Sequence, residues 1–201
     1  MSYVGIDLAG SASRQTGYCA LKEMVAETGL LQSDEEIVHI VSLAKPRIVA
    51  VDAPLALPRG RHCLEEHCRG RPHFRECDRQ LRGLGIRFFP ITLGPMRLLT
   101  ARGIRLKNRL EAAGFHVIET YPGGAQDLLG IRRRSDLEGL RSGLRRLGVA
   151  GDIDKQEITT HELDAVTCAL VAKMYIEGRT IQLGDPAEAL IALPRPKIGN
   201  S

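Results

Sequence analysis

Tyr3-Val4-Gly5-Ile6-Asp7-Leu8-Ala9 is followed by Gly10-Ser11-Ala12-Ser13 and then by Gly17-Tyr18-Cys19-Ala20-Leu21. The first run reads as a strand, the second as a turn and the third as a returning strand, a hairpin with Asp7 near the end of its first arm. Ser33-Asp34-Glu35-Glu36 is a capping box opening a helix through Leu43, with Ile37, Ile40 and Val41 on one face and Pro46 beyond its end. Arg47-Ile48-Val49-Ala50-Val51 runs apolar without alternation, as a strand covered on both faces does, and Asp52-Ala53-Pro54 stops it. Hairpin, helix and buried strand form a βαβ-containing plan, in which parallel central strands bring their carboxyl ends together. Asp7 and Asp52 both fall at such ends.

The rest of the chain extends this plan. Met96 to Ala113 has helical spacing, interrupted near Gly103 and closed by Gly114. Phe115 to Thr120 is a further strand, stopped by Tyr121-Pro122-Gly123-Gly124, and shorter helical stretches follow at 125–129 and 135–147. From Thr160 to Glu177, Leu163, Val166, Leu170 and Met174 make an apolar stripe at spacings of 3 to 4, with Asp164 one step off it. The tail from Thr180 to Leu193 is expected to add a short element or cover the sheet edge. At 43% hydrophobic and 26% charged, the composition is that of a folded globular chain, and 201 residues suit a single α/β domain, 1–201, with 59–95 as an insertion. No run approaches about 18 apolar residues and no secretion signal opens the sequence, so a cytoplasmic protein without membrane association is expected.

Charge is distributed unevenly. Between Arg59 and Arg109 stand twelve arginines and one lysine against four carboxylates, whereas the net charge of the whole chain is +4. A basic segment beside an acidic remainder suits a polyanion partner, DNA or RNA, next to a carboxylate cluster. Arg69, Arg71, Arg75, Arg79 and Arg82 recur at spacings of 2 to 4, and a helix there would present several guanidinium groups to phosphates. Phe74, Phe88 and Phe89 have two readings, stacking on unpaired bases or filling the core.

An ionised carboxylate beside apolar strand residues is costly to desolvate, and two at close range repel. A divalent cation, Mg²⁺ or Mn²⁺, removes both objections. In His161-Glu162-Leu163-Asp164-Ala165, residues three apart share a helix face, so His161 and Asp164 can serve one site, Asp164 as a ligand and His161 as a ligand or general base. Glu119 ends its strand in similar fashion and is either a fourth catalytic carboxylate or the buried partner of an arginine. Cys63-x4-Cys68-x4-His73-x3-Cys77 offers three thiolates and an imidazole for a structural Zn²⁺, with His62 and His67 as further donors. Reduced thiols are otherwise expected for the five cysteines, Cys19 and Cys168 lying in apolar runs.

Four blocks carry a resemblance. Val4-Gly5-Ile6-Asp7-Leu8-Ala9-Gly10 with Thr16-Gly17-Tyr18, Val51-Asp52-Ala53-Pro54-Leu55, Glu119-Thr120-Tyr121-Pro122 and His161-Glu162-Leu163-Asp164-Ala165 together resemble the domain-of-unknown-function 429 family, described as predicted RNase H-fold nucleases. The late helix is also similar to that of RuvC-type Holliday-junction resolvases, in which a His or Asp lies three residues before a metal-binding Asp preceding Ala. The resemblance implies an α/β fold with an RNase H-like mixed sheet flanked by helices, here with a basic Cys/His-containing insertion. It further implies a metal-dependent nuclease or phosphodiesterase with Asp7, Asp52, Asp164 and His161 as metal site. The resolvases carry Glu where this chain has Asp52 and lack its Cys- and Arg-rich excursion. Two other functions compete: a non-catalytic RNase H-like protein that binds nucleic acid without metal, and an actin-like ATPase or kinase, whose fold shares the Gly-x-Asp strand and hairpin. Neither GxxxxGK[ST] nor GxGxxG occurs in the chain. A homodimer would serve symmetric cleavage, though no heptad pattern announces one.

Overall fold

A computed structural model describes residues 1–68 and 72–196. Eight strands form one mixed sheet: β1 (Ser2–Asp7), β2 (Thr16–Lys22), β3 (Val25–Leu31), β4 (Val49–Asp52), β5 (Val117–Thr120), β6 (Ala150–Gly151), β7 (Thr180–Asp185) and β8 (Ala189–Pro194). Their order across the sheet is β6-β3-β2-β1-β4-β5-β8-β7. β1, β4 and β5 run parallel in the centre, and β2 and β3 return antiparallel on one side. The tail forms the β7–β8 hairpin, which extends the sheet beyond β5.

Six helices flank the sheet: α1 (Asp34–Ala44), α2 (Glu76–Gly83), α3 (Gly94–Ala112), α4 (Pro122–Leu129), α5 (Leu137–Arg146) and α6 (Thr160–Ile176). Alternation along the strands separates two cores. Val4, Ile6, Val49 and Val51 face α1 and α3, whereas Ile48, Ala50 and Ile118 face the α6 side, where α4 and α5 also pack. The capping box expected for α1 is present, with Ser33 Oγ accepting from Glu36 N. Among the described residues no helix is long and apolar enough to cross a membrane.

Two expectations change. The helix over 94–112 is unbroken at Gly103, because a Cβ there would lie 2.8 Å from Ala53 Cβ and 2.9 Å from Pro54 O. That glycine is a contact point with the loop after β4 and not a break. The apolar stripe of α6 is only part of a helix whose residues from Glu162 to Ala172 are all buried, as befits a helix with packing on every side.

α6 approaches the hairpin through two glycines. A Cβ on Gly5 would stand 2.0 Å from Ala165 O and 2.3 Å from Ala169 N, and one on Gly17 would stand 2.0 Å from His161 O. These are backbone atoms, so relief requires the helix itself to move. Gly5→Ala is therefore expected to destabilise the fold by at least the roughly 1–3 kcal/mol typical of overpacking. Urea unfolding checks this; a loss below about 0.5 kcal/mol would mean that α6 is not seated on β1 as described.

Candidate active site

β1 and β4 are paired in parallel with Asp7 opposite Asp52, so both side chains leave the sheet on the same face at the carboxyl end. α6 lies over that face, and its close seating on Gly5 and Gly17 brings His161 and Asp164 to the same corner. His161 Nδ1 stands 2.5 Å from Asp7 Oδ2. As an ionised carboxylate only accepts, the imidazole donates. Asp52 is the register partner of Asp7, and the two carboxyls act on one another. Asp164 Oδ1 accepts from Gln126 Nε2 at 2.7 Å, and the same amide nitrogen lies 3.2 Å from Thr167 Oγ1. Asp7, Asp52, Asp164 and His161 thus come together as the sequence suggests. Glu162, between the last two, serves the helix instead: it closes the N-terminal capping box of α6 with Thr159 and accepts from Thr28 Oγ1.

The cluster is short of positive charge. Among the described residues its ion pairs come from His161 and from Arg134 Nη1, 3.7 Å from Asp164 Oδ2 on a side chain that is 60% exposed. Burial, followed by the charges of Asp7 and Asp164, pushes the Asp52 carboxyl well above the usual range. Asp164 is raised to about 6 by burial and then by Asp7, against the opposing effects of Gln126, Arg134 and His161. The hydrogen bond to Asp7 raises His161.

These shifts make the metal-free protein sensitive to pH. The carboxyl of Asp164 binds its proton more tightly folded than unfolded, so its contribution to stability is complete below about pH 4 and is lost as pH rises through about 6. Asp164→Asn is expected to remove that loss, worth on the order of 2–3 kcal/mol at neutral pH. Melting in EDTA at pH 5 and pH 8 tests the assignment: parallel pH profiles for wild type and variant would refute it.

Carboxylates in this state suit a divalent cation chemically. The donors are hard oxygens of two strand ends and a helix, their mutual repulsion is only partly offset by His161 and Arg134, and Gln126 Oε1 beside them is a buried acceptor without a partner that a hydrated ion would satisfy. Among the described residues, only Cys63, His67 and Cys68 form a set of three ligand atoms all within 4.8 Å. The acidic cluster is more open than that set, its ligand atoms not all lying within 4.8 Å of one another.

Glu119 belongs elsewhere. It pairs with Val51, one residue before Asp52, and so faces the opposite side of the sheet from the aspartates. Its carboxylate accepts from Leu55 N at 2.8 Å and from both terminal nitrogens of Arg75 at 2.7 and 2.8 Å. Of its two readings, the structure shows the buried partner of an arginine. Arg75 is correspondingly removed from the phosphate-binding set: its guanidinium is 2% exposed and is also bound by Asp78. Arg79 and Arg82 are exposed, Arg79 paired with Glu76 and Arg82 lying 4.9 Å over the Phe74 ring. Arg69 and Arg71 lie outside the described residues.

Of the expected zinc donors, Cys63, Cys68 and His67 come together and the others do not. Cys77 is buried in the core beside Asp78, His73 Nδ1 hydrogen-bonds with Thr92 Oγ1, and Cys63 is joined to Cys68 in a disulfide. That pairing also corrects the expectation of reduced thiols, while Cys19, Cys77 and Cys168 are free and buried. A five-residue separation on a turn lets the two sulfurs meet, which spacing alone does not announce. Gln126 and Arg134 join the site without a sequence signal. Gln126 follows Pro122 in the first turns of α4, and its partner Asp164 is 38 residues away, so no local pattern marks it.

A central parallel trio flanked by an antiparallel pair, with acidic residues at the carboxyl ends and a late helix over them, defines an RNase H-like α/β fold. The chain belongs to the DUF429 family, described as a protein of unknown function, whose model matches residues 5–189. Among solved structures it is similar to the Thermus thermophilus RuvC in complex with Holliday junction substrate, at 14% identity and a TM-score of 0.54, covering 89% of this chain and 96% of that one. A second T. thermophilus RuvC structure matches at 12% identity and a TM-score of 0.45, covering 94% and 99%. No curated protein matches the sequence.

Proposed function

We propose that the chain is a divalent-metal-dependent nuclease whose partner is DNA or RNA. The observation that carries this reading is the meeting of buried Asp7 and Asp164 with half-buried Asp52, with too little positive charge to balance them. The RuvC likeness, whose complex contains a Holliday junction, supports the same class of chemistry on the same fold.

Asp7, Asp52 and Asp164 would hold Mg²⁺ or Mn²⁺. When bound, the ions supply an activated water and charge stabilisation at the phosphodiester. The protein's own contribution is positional. β1 and β4 fix two carboxylates by register, and Gln126 fixes the third by donating to Asp164. His161 is oriented through Nδ1 by Asp7, which presents its Nε2 as the atom that takes up or releases a proton. Arg134 and the exposed Arg79 and Arg82 offer charge to neighbouring phosphates.

Labelled single-stranded, duplex and branched DNA and RNA, incubated with Mg²⁺, Mn²⁺ or EDTA, test the reading. Cleavage by at least one metal and none in EDTA is expected. Binding without cleavage in every condition would replace it with the non-catalytic alternative.

A further inference from the structure

A cavity of about 420 Å³ opens beside the carboxylates and shares Asp52, Asp164 and Gln126 with them. Its other walls are largely apolar and aromatic, with Phe88, Phe89, Tyr121, Met96 and Leu99 among them. The charged residues Arg75, Asp78 and Glu119 also line it, but they are bound to one another. A space of this kind is of ligand size, far too small for a duplex, and offers flat apolar surfaces beside its acidic wall.

We propose that this cavity holds one unstacked base of the nucleic-acid strand being cut, so that the substrate is a strand with an unpaired nucleotide at the cleavage point. The proposal rests on the nuclease reading and adds its substrate class. Three observations converge on it. The aromatic walls match the faces of a base, which is how enzymes that extrude a nucleotide hold it. The shared wall means that a base in the cavity brings its own backbone to Asp52 and Asp164. Arg133 and Arg134 line the cavity too, and Arg134, mostly exposed, can meet that backbone.

Phe89 adds a further sign. It is 67% exposed, although large aromatic side chains are ordinarily covered. Phe88, its neighbour, packs edge-on against Phe74 with ring centroids 6.1 Å apart. The pair therefore divides into an anchored ring that builds the wall and an exposed ring available to stack on a base.

The test is an abasic scan. A single-stranded oligonucleotide series, each member lacking the base at one position, is bound to the full-length protein in EDTA, where nothing is cut. One position is expected to stand out, its loss weakening binding about tenfold or more. In Phe89→Ala, and in Met96→Trp, which fills the cavity, intact oligonucleotide should bind correspondingly less well and the special position should disappear. Unchanged melting temperatures confirm that both variants fold. A flat scan with metal-dependent cleavage intact overturns the base pocket and leaves the nuclease standing. A special position that persists equally in both variants overturns it as well, by placing the base elsewhere. Absence of both binding and cleavage removes the nuclease reading and the pocket with it.

Discussion

Asp7→Asn is expected to lower metal-dependent cleavage by about 10³-fold, roughly 4 kcal/mol of transition-state stabilisation, while the protein remains folded. Asp7 is chosen because it is central to the cluster, opposite Asp52 in the strand pairing and 2.5 Å from His161 Nδ1. Asparagine keeps the size of the side chain but removes the charge a divalent ion requires, and it also leaves His161 with a weaker acceptor. The same loss of charge relieves repulsion in the metal-free protein, so the melting temperature in EDTA should equal or exceed that of wild type. Single-turnover cleavage and thermal unfolding measure the two effects separately. A variant that cuts within tenfold of wild type removes Asp7 from the site, whereas one that is inactive because it is unfolded says nothing for metal chemistry.

Arg75→Ala carries the largest expected cost in stability, about 3–5 kcal/mol. The guanidinium binds Glu119 through both terminal nitrogens and Asp78 through Nη2 and Nε, and all three side chains are nearly inaccessible to water. Removing it strands two buried carboxylates. Asp78 also accepts from the backbone N–H of Arg75 and so caps α2, and Glu119 accepts from Leu55 N in the loop beyond Asp52. The loss would therefore loosen α2 and one wall of the cavity together. Urea denaturation supplies the measurement, and a change below about 1 kcal/mol would show that the charges find water in the folded state.

The central sheet is legible in the sequence where residues carry two signals at once. Asp7 and Asp52 each end an apolar run, and a βαβ connection makes the runs parallel, so their meeting follows from topology. Glu119 satisfies the first condition equally well, yet strand alternation sends it to the other face; its alignment with Val51 depends on register, which is a property of the pairing. β3 is hidden in the sequence because Val25–Leu31 is mostly half-exposed and the turn before it uses Glu23 and Met24 at positive φ, where Asn-Gly or Asp-Gly would have signalled a hairpin. Arg75 lies within an arginine-rich run whose members look alike until a partner 44 residues away is in place. Gly5 and Gly17 likewise acquire their meaning only from the helix that presses on them.

The seating of α6 on β1 has a consequence for the order of events in folding. The bond between His161 and Asp7 closes a loop of 154 residues, and contacts so distant along the chain slow folding because their closure entropy must be met first. During synthesis, at roughly 5–20 residues per second, β1 waits several seconds or more for its covering helix. Until then the glycine notch stands open and the carboxylates of β1 and β4 lie in water without Asp164. The acidic cluster thus joins a strand to a helix made 154 residues later, and it stays incomplete until that helix has been synthesised.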